Sequence, residues 1–221
     1  MNDSAVPSRR RLKEARPQQL LDAALELFAE KGFAATRAEE VAQLAGVSKG
    51  TLYLYDPSKE ELLKAVIREH LSSRIAAGAA AAEKHRGPVA DLLREVFARW
   101  WLEVFDSPTS GVFKLIITEV RNFPEIAEFY VNDVIQPAEE LVARIVQHGI
   151  DSGEFEALDI PHVVHSLCLP MVMLCVHKHS VGACTDHHVG FEPHEFVRAH
   201  VDLVVRGLLR QRGASRRAAA A

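Results

Sequence analysis

The sequence lacks most of the features that mark a secreted, membrane-spanning or catalytic protein. Its three cysteines are an odd number, and the polar start carries no secretory signal, so a disulfide-stabilised extracellular fold is not expected. The most apolar run, residues 163–176, is 14 residues long, which is too short for a membrane-spanning helix. Gly-rich phosphate loops, HExxH and CxxC do not occur. These absences predict a soluble cytoplasmic protein that is not an enzyme and holds no cofactor.

Charge and composition say little about a ligand. The net charge of −4 gives no general attraction to nucleic acid, and residues 1–60 carry nine Lys or Arg against nine Asp or Glu. Affinity for a polyanion must therefore come from the placement of single charges. The 48% apolar content allows a full core, and the aromatic content of only 7% favours an aliphatic, helical interior.

Residues 36–62, TRAEEVAQLAGVSKGTLYLYDPSKEEL, have the spacing of two short helices joined by a tight turn. Thr36 and Glu39 predict a capping box that starts the first helix near Arg37. Gly46 supplies the left-handed residue that ends this helix, and Ser48 caps the next one. This layout is that of a DNA-reading helix-turn-helix.

The second helix of this motif has two distinct faces. Leu52 and Tyr55 turn toward the core, whereas the residues left free to face a DNA groove are Lys49, Gly50, Thr51, Tyr53 and Leu54. Free N–H groups at the helix starts would also meet phosphates. The simpler alternative is a helical hairpin packed inside a bundle, since capping boxes and glycine turns are common.

Helical periodicity runs through the rest of the chain and predicts an all-α protein of nine helices. Pro17 fits the first turn of the opening helix, a bend is expected at Pro137, and an interruption or kink is expected at Pro170. We predict a disordered basic arm at residues 1–15, a helix-turn-helix domain at 16–62, a larger helical domain at 63–212 and a disordered tail at 213–221.

The last two predicted helices, at about 160–178 and 193–210, carry more apolar surface than one subunit can cover. Pairing them with a second copy would form a four-helix interface, and homodimers are the commonest oligomers. The sequence therefore predicts a homodimer through these helices.

Residues 23–63, AALELFAEKGFAATRAEEVAQLAGVSKGTLYLYDPSKEELL, resemble the TetR family of bacterial transcriptional regulators. The resemblance implies a nine-helix TetR-like architecture, in which a homodimeric repressor binds a palindromic operator in duplex DNA until a small ligand releases it. It implies contacts to bases or adjacent phosphates for Lys49, Gly50, Thr51 and Tyr53, and contacts to the DNA backbone for Thr36, Arg37, Ser48, Tyr55 and Lys59.

An apolar ligand cavity is expected within the larger domain, which would then serve both ligand binding and dimerisation. Aromatic and methionine side chains suit such a cavity because they are broad, adaptable and apolar. The same side chains lie on the core faces of their helices, so plain packing is the alternative for each. The candidate wall residues are Trp100, Trp101, Phe105, Phe113, Ile117, Phe123, Phe129, Tyr130 and Met171, with His165 to orient a small apolar effector.

Eleven histidines raise the alternative of a metal sensor. His165, Cys168 and Cys175 can lie along one side of a helix, but no four-ligand spacing of a known type is present. No metal site is therefore predicted, and the two cysteines are interpreted as small buried hydrophobic residues.

Two rival functions remain open at this point. One is a sensor whose DNA reading has degenerated, and the other is an all-helical enzyme that uses the histidines. Specific, salt-dependent binding to a palindrome would exclude the first. Histidines scattered over the surface, without a shared pocket, would exclude the second.

Asp56 departs from the pattern of the resembling family, which commonly has an aromatic residue at the junction after the recognition helix. An apolar side chain there would bury surface worth roughly 1.5–3 kcal/mol, and it would remove a negative charge near phosphates. We expect Asp56→Phe to raise both the melting temperature and the affinity for operator DNA. Calorimetry and a DNA titration would show this, and unchanged values for both would contradict it.

Overall fold

The computed structural model describes residues 9–184 and 192–210, with side chains from residue 17 onward. In these residues the fold is entirely helical, and the one extended contact is an isolated antiparallel bridge between Phe155 and Leu209. The predicted all-α, nine-helix architecture is confirmed for this part of the chain, with a one-turn helix, Val181–Cys184, added before the last long helix.

The helices follow one another with short connections. They are α1 Arg9–Lys31, α2 Ala38–Leu44, α3 Lys49–Tyr55, α4 59–84, α5 89–106, α6 Ser110–Glu119, α7 124–151, α8 Ile160–Lys178 and α9 Pro193–Leu208. Three of them contain a π-helical turn: Arg68–Ser72 in α4, Leu92–Phe97 in α5 and Val131–Ile135 in α7.

Helix α1 begins at Arg9 and runs through Pro17, so residues 9–15 are helical where a disordered arm was predicted. Proline has a helical φ and removes one hydrogen bond, which a long helix can absorb. Gly32, with φ 84°, ends the helix. Residues 1–8 of the predicted arm and the predicted tail at 213–221 lie outside the described residues.

One continuous core joins the helix-turn-helix to the remaining helices. Leu20 and Phe28 of α1, Leu52 of α3, and Leu62 and Leu63 of α4 are all buried in it. The predicted boundary after residue 62 therefore falls inside a buried stretch of α4, and the same cluster continues to the end of α9. Helix α4 belongs to both parts of the molecule.

Two prolines lie inside helices without breaking them, and each leaves a carbonyl free to accept a hydrogen bond from another helix. Helix α7 continues through Pro137 after a π-helical turn, and α8 continues through Pro170 without the predicted interruption. Because proline has no N–H, the carbonyl four residues earlier loses its helical donor. The Ser72 hydroxyl of α4 donates to the Asp133 carbonyl at 3.0 Å, and His200 of α9 donates through Nε2 to the Ser166 carbonyl at 2.8 Å.

The segment Ile160–Cys184 is longer than the apolar run used above to exclude a membrane span. Its mean hydropathy reaches 1.5, so by length and composition alone it could cross a membrane. In the structure α8 packs against α6, α7 and α9. Leu169 and Met173, one turn apart on α8, remain 60% exposed. About a third of the segment is buried against these helices, and an apolar stripe remains on its outer face.

Two helical glycines provide a matched test of the packing. A Cβ on Gly149 of α7 would overlap the ring of Phe155, whereas a Cβ on Gly207 of α9 would meet no atom within 4 Å. We expect Gly149→Ala to lower the free energy of unfolding by about 1–3 kcal/mol through overpacking. Gly207→Ala should leave it unchanged or raise it by about 0.5–1 kcal/mol. Denaturant unfolding measures both, and equal effects would contradict the packing described for Phe155.

Candidate DNA-binding surface and ligand cavity

The turn between α2 and α3 is built as the sequence predicts. Gly46 has φ 66°, a left-handed conformation that lets the chain reverse after α2. The Val47 N–H then donates to the Ala42 carbonyl at 2.9 Å. Ser48 caps α3, with its hydroxyl oxygen accepting the Thr51 N–H at 3.1 Å. These contacts fix the angle at which α3 stands on α2.

Helix α3 presents the predicted face to solvent. Leu52 is fully buried, as predicted, while Tyr53 is 42% exposed and Leu54 is 82% exposed. Tyr55 is 43% exposed, so the prediction that it turns toward the core is wrong. Ser48, Lys49 and Gly50 are exposed, Thr51 is partly buried, and Arg37 is exposed at the N-cap of α2. Seven of the nine predicted DNA-contacting residues therefore lie on or beside one accessible surface: Arg37, Ser48, Lys49, Gly50, Thr51, Tyr53 and Tyr55.

The residues 46–50 also spell GxSxG, the letter pattern of a serine-hydrolase nucleophile elbow. That elbow requires a strand followed by a sharp turn into a helix. Here a helix precedes the turn, and the Ser48 oxygen is occupied in capping α3. The pattern therefore has no catalytic geometry.

Lys49, the cation at the start of α3, is held by the neighbouring helix. Its ammonium donates to the Glu39 carboxylate and lies 5.7 Å from the centre of the Tyr53 ring. This hydrogen bond raises the pKa of Lys49 and lowers that of Glu39. A DNA phosphate must displace Glu39 to reach the lysine, so α2 competes with the ligand for the main charge on α3.

Thr36 is buried, and its predicted roles in capping and in DNA contact are wrong. Its side chain is 2% exposed, and its hydroxyl lies within hydrogen-bonding distance of the Gly32 and Leu27 carbonyls, at 2.8 and 3.1 Å. Helix α2 is capped one residue later, where the Arg37 N–H donates to the Glu40 carboxylate at 3.0 Å. The threonine thus secures the end of α1.

Lys59 is also a structural residue, and its predicted contact with the DNA backbone is not available in this conformation. Its ammonium donates to the carbonyls of Phe33, Ala34 and Thr36 at 2.8, 3.2 and 3.2 Å. It also lies 4.5 Å from the centre of the Phe33 ring. All three ammonium hydrogens are therefore used inside the protein.

Asp56 forms the C-cap of α3, where its N–H donates to the Leu52 carbonyl at 2.9 Å. Burial raises the pKa of its half-buried carboxyl, and the Glu61 carboxylate adds to the rise. A folded-state pKa above the unfolded value means that the ionised form costs stability at neutral pH. That cost disappears as the pH falls through the folded-state pKa, in keeping with the gain expected for Asp56→Phe.

A cavity of about 410 Å³ lies between α4, α5, α6, α7 and α8. Six of the ten predicted ligand-contacting residues line it: Trp100, Trp101, Phe113, Ile117, Tyr130 and His165. The volume falls within the range of about 300–1,000 Å³ that small-molecule sites occupy. The Trp100 indole donates to the Arg74 carbonyl at 2.9 Å, which ties this wall to α4.

The other four predicted residues pack elsewhere. Phe123 meets Phe33 edge to face at 4.8 Å, and Phe129 lies under the Arg68 guanidinium at 4.6 Å. Phe105 lies under the Lys178 ammonium at 4.6 Å, and Met171 is buried in the core. For these side chains the packing alternative was correct, because the rotation of their helices turns them away from the cavity.

Much of the cavity wall was not among the predicted ligand-contacting residues. It comes from aliphatic and small side chains of α4 and α7, including Leu71, Ile75, Gly78, Val134, Ala138 and Val142. Their helical spacing is visible in the sequence, but it is the same for a filled core. Glu139, which lies 3.1 Å from Nε2 of His165, was also missed.

A wider open cleft, of about 1700 Å³, lies between α1, α4, α6 and residues 179–184. Its walls carry charges of both signs, including Asp22, Glu26, Glu69 and Lys114. His70 lies 3.5 Å from Asp22 there, and burial lowers the pKa of this imidazole. The charged walls suit an apolar effector poorly, so the smaller cavity is the candidate ligand site.

Five of the described histidines have separate partners. His162, His165 and His194 pair with Asp159, Glu139 and Asp106, while Ser110 and the Ser166 carbonyl are the partners of His179 and His200. In the described part of the chain, no three His, Cys, Asp or Glu residues converge on a possible metal position. His187 and His188 lie outside it.

The two cysteines of α8 are poor candidates for redox sensing. Burial raises the pKa of the Cys168 and Cys175 thiols to about 12. Thiols with such values stay protonated at neutral pH, and the thiolate is the reactive form.

Comparison with known proteins agrees with this geometry. Residues 20–66 match the family model of bacterial regulatory proteins of the tetR family. The chain is 30% identical over 146 residues to the uncharacterized HTH-type transcriptional regulator YfiR of Bacillus subtilis (strain 168), covering 65% of this chain and 70% of that protein. It is 29% identical over 185 residues to the HTH-type transcriptional regulator RutR of Escherichia coli (strain K12), covering 84% and 79%.

Among solved structures, the transcriptional regulator FadR from Bacillus subtilis in complex with stearoyl-CoA superposes with a TM-score of 0.72. The sequence identity is 22%, and the match covers 87% of this chain and 99% of that one. Fold, exposed recognition helix and relatives together define a helix-turn-helix transcriptional regulator, not an enzyme. The chain belongs to the TetR family.

Variants of Lys49, at the start of α3, and Lys59, at the start of α4, should distinguish a lysine that contacts DNA from one that stabilises the fold. We expect Lys49→Ala to weaken DNA binding and to reduce the slope of log affinity against log salt by about 0.9, the contribution of one phosphate contact. Its melting temperature should not change, because Lys49 is exposed. Lys59→Ala should instead lower the free energy of unfolding by about 1–3 kcal/mol, since three carbonyls lose their donor.

Calorimetry and fluorescence anisotropy at several salt concentrations would measure both variants. A large loss of stability in Lys49→Ala, or unchanged stability in Lys59→Ala, would contradict the roles given to these lysines.

Proposed function

We propose that this regulator is a homodimeric repressor, and that a small apolar ligand in the C-terminal cavity releases it from a palindromic operator. It acts in the cytoplasm, where it meets the bacterial chromosome. Residues 16–62 form the DNA-binding domain and residues 63–212 form the ligand-binding and dimerisation domain. The observation that carries the proposal is that one helix, α4, borders both the helix-turn-helix and the cavity.

The proposed DNA contacts are those made by the exposed start of α3. Lys49, Gly50 and Tyr53 can enter a major groove, while Arg37 and Ser48 stand beside it at helix N-termini that favour phosphates. In a dimer, two such helices must lie about 34–36 Å apart to enter successive grooves. A change in that spacing is therefore enough to release the operator.

The proposed dimer forms through α8 and α9. Leu169 and Met173 on α8 and Leu203 on α9 are each at least 60% exposed, which is unusual for large apolar side chains on core helices. The hydrogen bond between His200 and the Ser166 carbonyl holds these two helices together. Each subunit thus offers a preformed pair of helices to its partner.

The proposed link between ligand and DNA runs through the π-helical turns of α4 and α7. Leu71 and Ile75 of α4 and Val134 of α7 line the cavity. Ser72, between the first two, donates to the Asp133 carbonyl that Pro137 leaves free. A ligand that separates these walls acts on this contact and tilts α4. Coupling energies of this kind are typically about 1–3 kcal/mol.

The first test is fluorescence anisotropy of the full-length protein on duplexes that tile the DNA around its own gene, at two salt concentrations. We expect tight binding to one palindromic fragment, with affinity that falls steeply with salt because phosphate contacts release counterions. Addition of 1-decanol, an apolar probe small enough for the cavity, should weaken binding by roughly 5- to 150-fold. A folded protein that binds no fragment would contradict the proposal and favour the sensor without DNA reading.

Two exposed leucines provide the control for the dimer. Leu203 lies in the proposed interface, whereas Leu158, 44% exposed, precedes α8 in a loop. Leu203→Glu should sediment as a monomer and should no longer bind the palindromic duplex. Leu158→Glu should still sediment as a dimer and should still bind that duplex. Dimers that survive Leu203→Glu would place the interface elsewhere.

A further inference from the structure

The described ionisable side chains that line the cavity between α4, α5, α6, α7 and α8 do not include a permanently positive one. Among the described residues that line it, none is a lysine or arginine, and the acidic residue is Glu139. His165 also lines the cavity, and the rest of the wall is apolar apart from two neutral polar groups, the Tyr130 hydroxyl and the buried Trp101 indole N–H, which has no partner among the described residues. The cavity thus offers an acceptor for a cation or a hydrogen-bond donor, with no permanent cation for an anion.

Glu139 and His165 stand together at the opening. Their carboxylate oxygen and Nε2 are 3.1 Å apart, and their side chains are 42% and 51% exposed. The imidazole nitrogen that faces the carboxylate is therefore engaged and is not free to bind a ligand anion. Among the described residues, no donor lies within hydrogen-bonding distance of the second carboxylate oxygen of Glu139.

The negative charge of Glu139 reaches the cavity wall. Cys168, which lines the cavity below His165 on α8, has a pKa raised by burial, and the Glu139 carboxylate raises it further. The same field would act on the polar end of a bound ligand. Because like charges repel more strongly where water is partly excluded, an anionic head group beside Glu139 would be disfavoured.

We infer that the effector of this cavity is an apolar molecule whose polar end is uncharged or cationic, such as an alkyl alcohol or an alkyl ammonium. Its tail fills the space between Trp100, Trp101 and Val134, and its head group meets the Glu139 carboxylate. Carboxylates and acyl-CoA thioesters, whose head groups are anionic, should bind in this cavity more weakly than the alcohol or the ammonium. This inference rests on the proposed function, since it takes the cavity as the effector site.

The effector inferred for this chain differs in charge from the ligand bound to a structural neighbour. The FadR of Bacillus subtilis was solved with stearoyl-CoA, whose head group carries several phosphates. Phosphates bound to proteins are generally met by arginine, lysine or helix N-termini. The cavity of this chain provides an acidic residue at the opening instead, so the shared fold does not imply a shared ligand.

The test uses the native fluorescence of the full-length protein. Trp100 and Trp101 are the two tryptophans of the chain, and both line the cavity. Titrations compare four probes with the same ten-carbon tail below their micellar concentrations: decyltrimethylammonium, 1-decanol, decanoate and decanoyl-CoA. We expect the ammonium and the alcohol to change the fluorescence, with the ammonium binding at least roughly tenfold more tightly than decanoate.

Variants of two adjacent glutamates identify the source of the selectivity. Glu139→Gln should reduce the preference for decyltrimethylammonium over decanoate by roughly tenfold and leave decanol binding unchanged. Glu140→Gln is the matched control, because Glu140 is 72% exposed, lies 4.0 Å from Arg144 and does not line the cavity. It should keep the wild-type preference. His165→Gln should not improve decanoate binding.

The outcomes distinguish this inference from the proposal on which it rests. Decanoate or decanoyl-CoA binding as tightly as the ammonium would overturn the inference. If no probe changes the fluorescence, both the inference and the ligand site fail. Binding with the expected preference, but without release of operator DNA in the anisotropy assay, would support the inference and contradict release by a ligand.

Discussion

The ammonium group of one lysine adds a charged contact to the core that joins the helix-turn-helix to the rest of the molecule. Lys59, the first residue of α4, donates to three carbonyls in the chain between α1 and α2 and lies against the Phe33 ring. Phe33 is fully buried between Phe28 of α1 and Phe123 at the start of α7. Because hydrogen bonds to a charged donor are stronger than neutral ones, this contact fixes the orientation of α4. Any movement of α4 must then be passed to the helix-turn-helix.

Local signals made the helix-turn-helix predictable. The left-handed turn at Gly46, the cap at Ser48 and the burial of Leu52 depend on residues within four positions, so their spacing in the sequence determines them. The roles of Thr36 and Lys59 were predicted wrongly for the opposite reason. Their partners lie up to 9 and 26 residues away, and only the folded chain shows that these polar groups are already satisfied.

The cavity was predicted less completely. Its empty space is left by small side chains, whereas the prediction relied on large aromatic ones. Gly78, Ala82 and Ala138 line it, yet glycine and alanine have no distinctive pattern in an alanine-rich sequence. Aromatic residues identified the correct helices but not the correct faces. Trp101 and Phe105, one turn apart on α5, have different surroundings, with the first at the cavity and the second beside Lys178 and His194. A small rotation of a helix about its axis determines which of two neighbouring aromatic residues faces the cavity.

The hydrogen bond between Ser72 and the carbonyl freed by Pro137 attaches α4 to α7 near the middle of α4, so the two ends of α4 can move in opposite directions around this contact. Ser72 lies near the middle of the helix, 13 residues or about 20 Å from Lys59 at 1.5 Å per residue. A rotation of about 5° around this fulcrum would carry Lys59, and the helices it holds, by roughly 1.7 Å. The opposite arm, which includes Ile75, Gly78 and Ala82, borders the cavity. In the proposed mechanism, a small displacement of the cavity wall would therefore move the DNA-reading end by a comparable distance, while α8 and α9 stay in place.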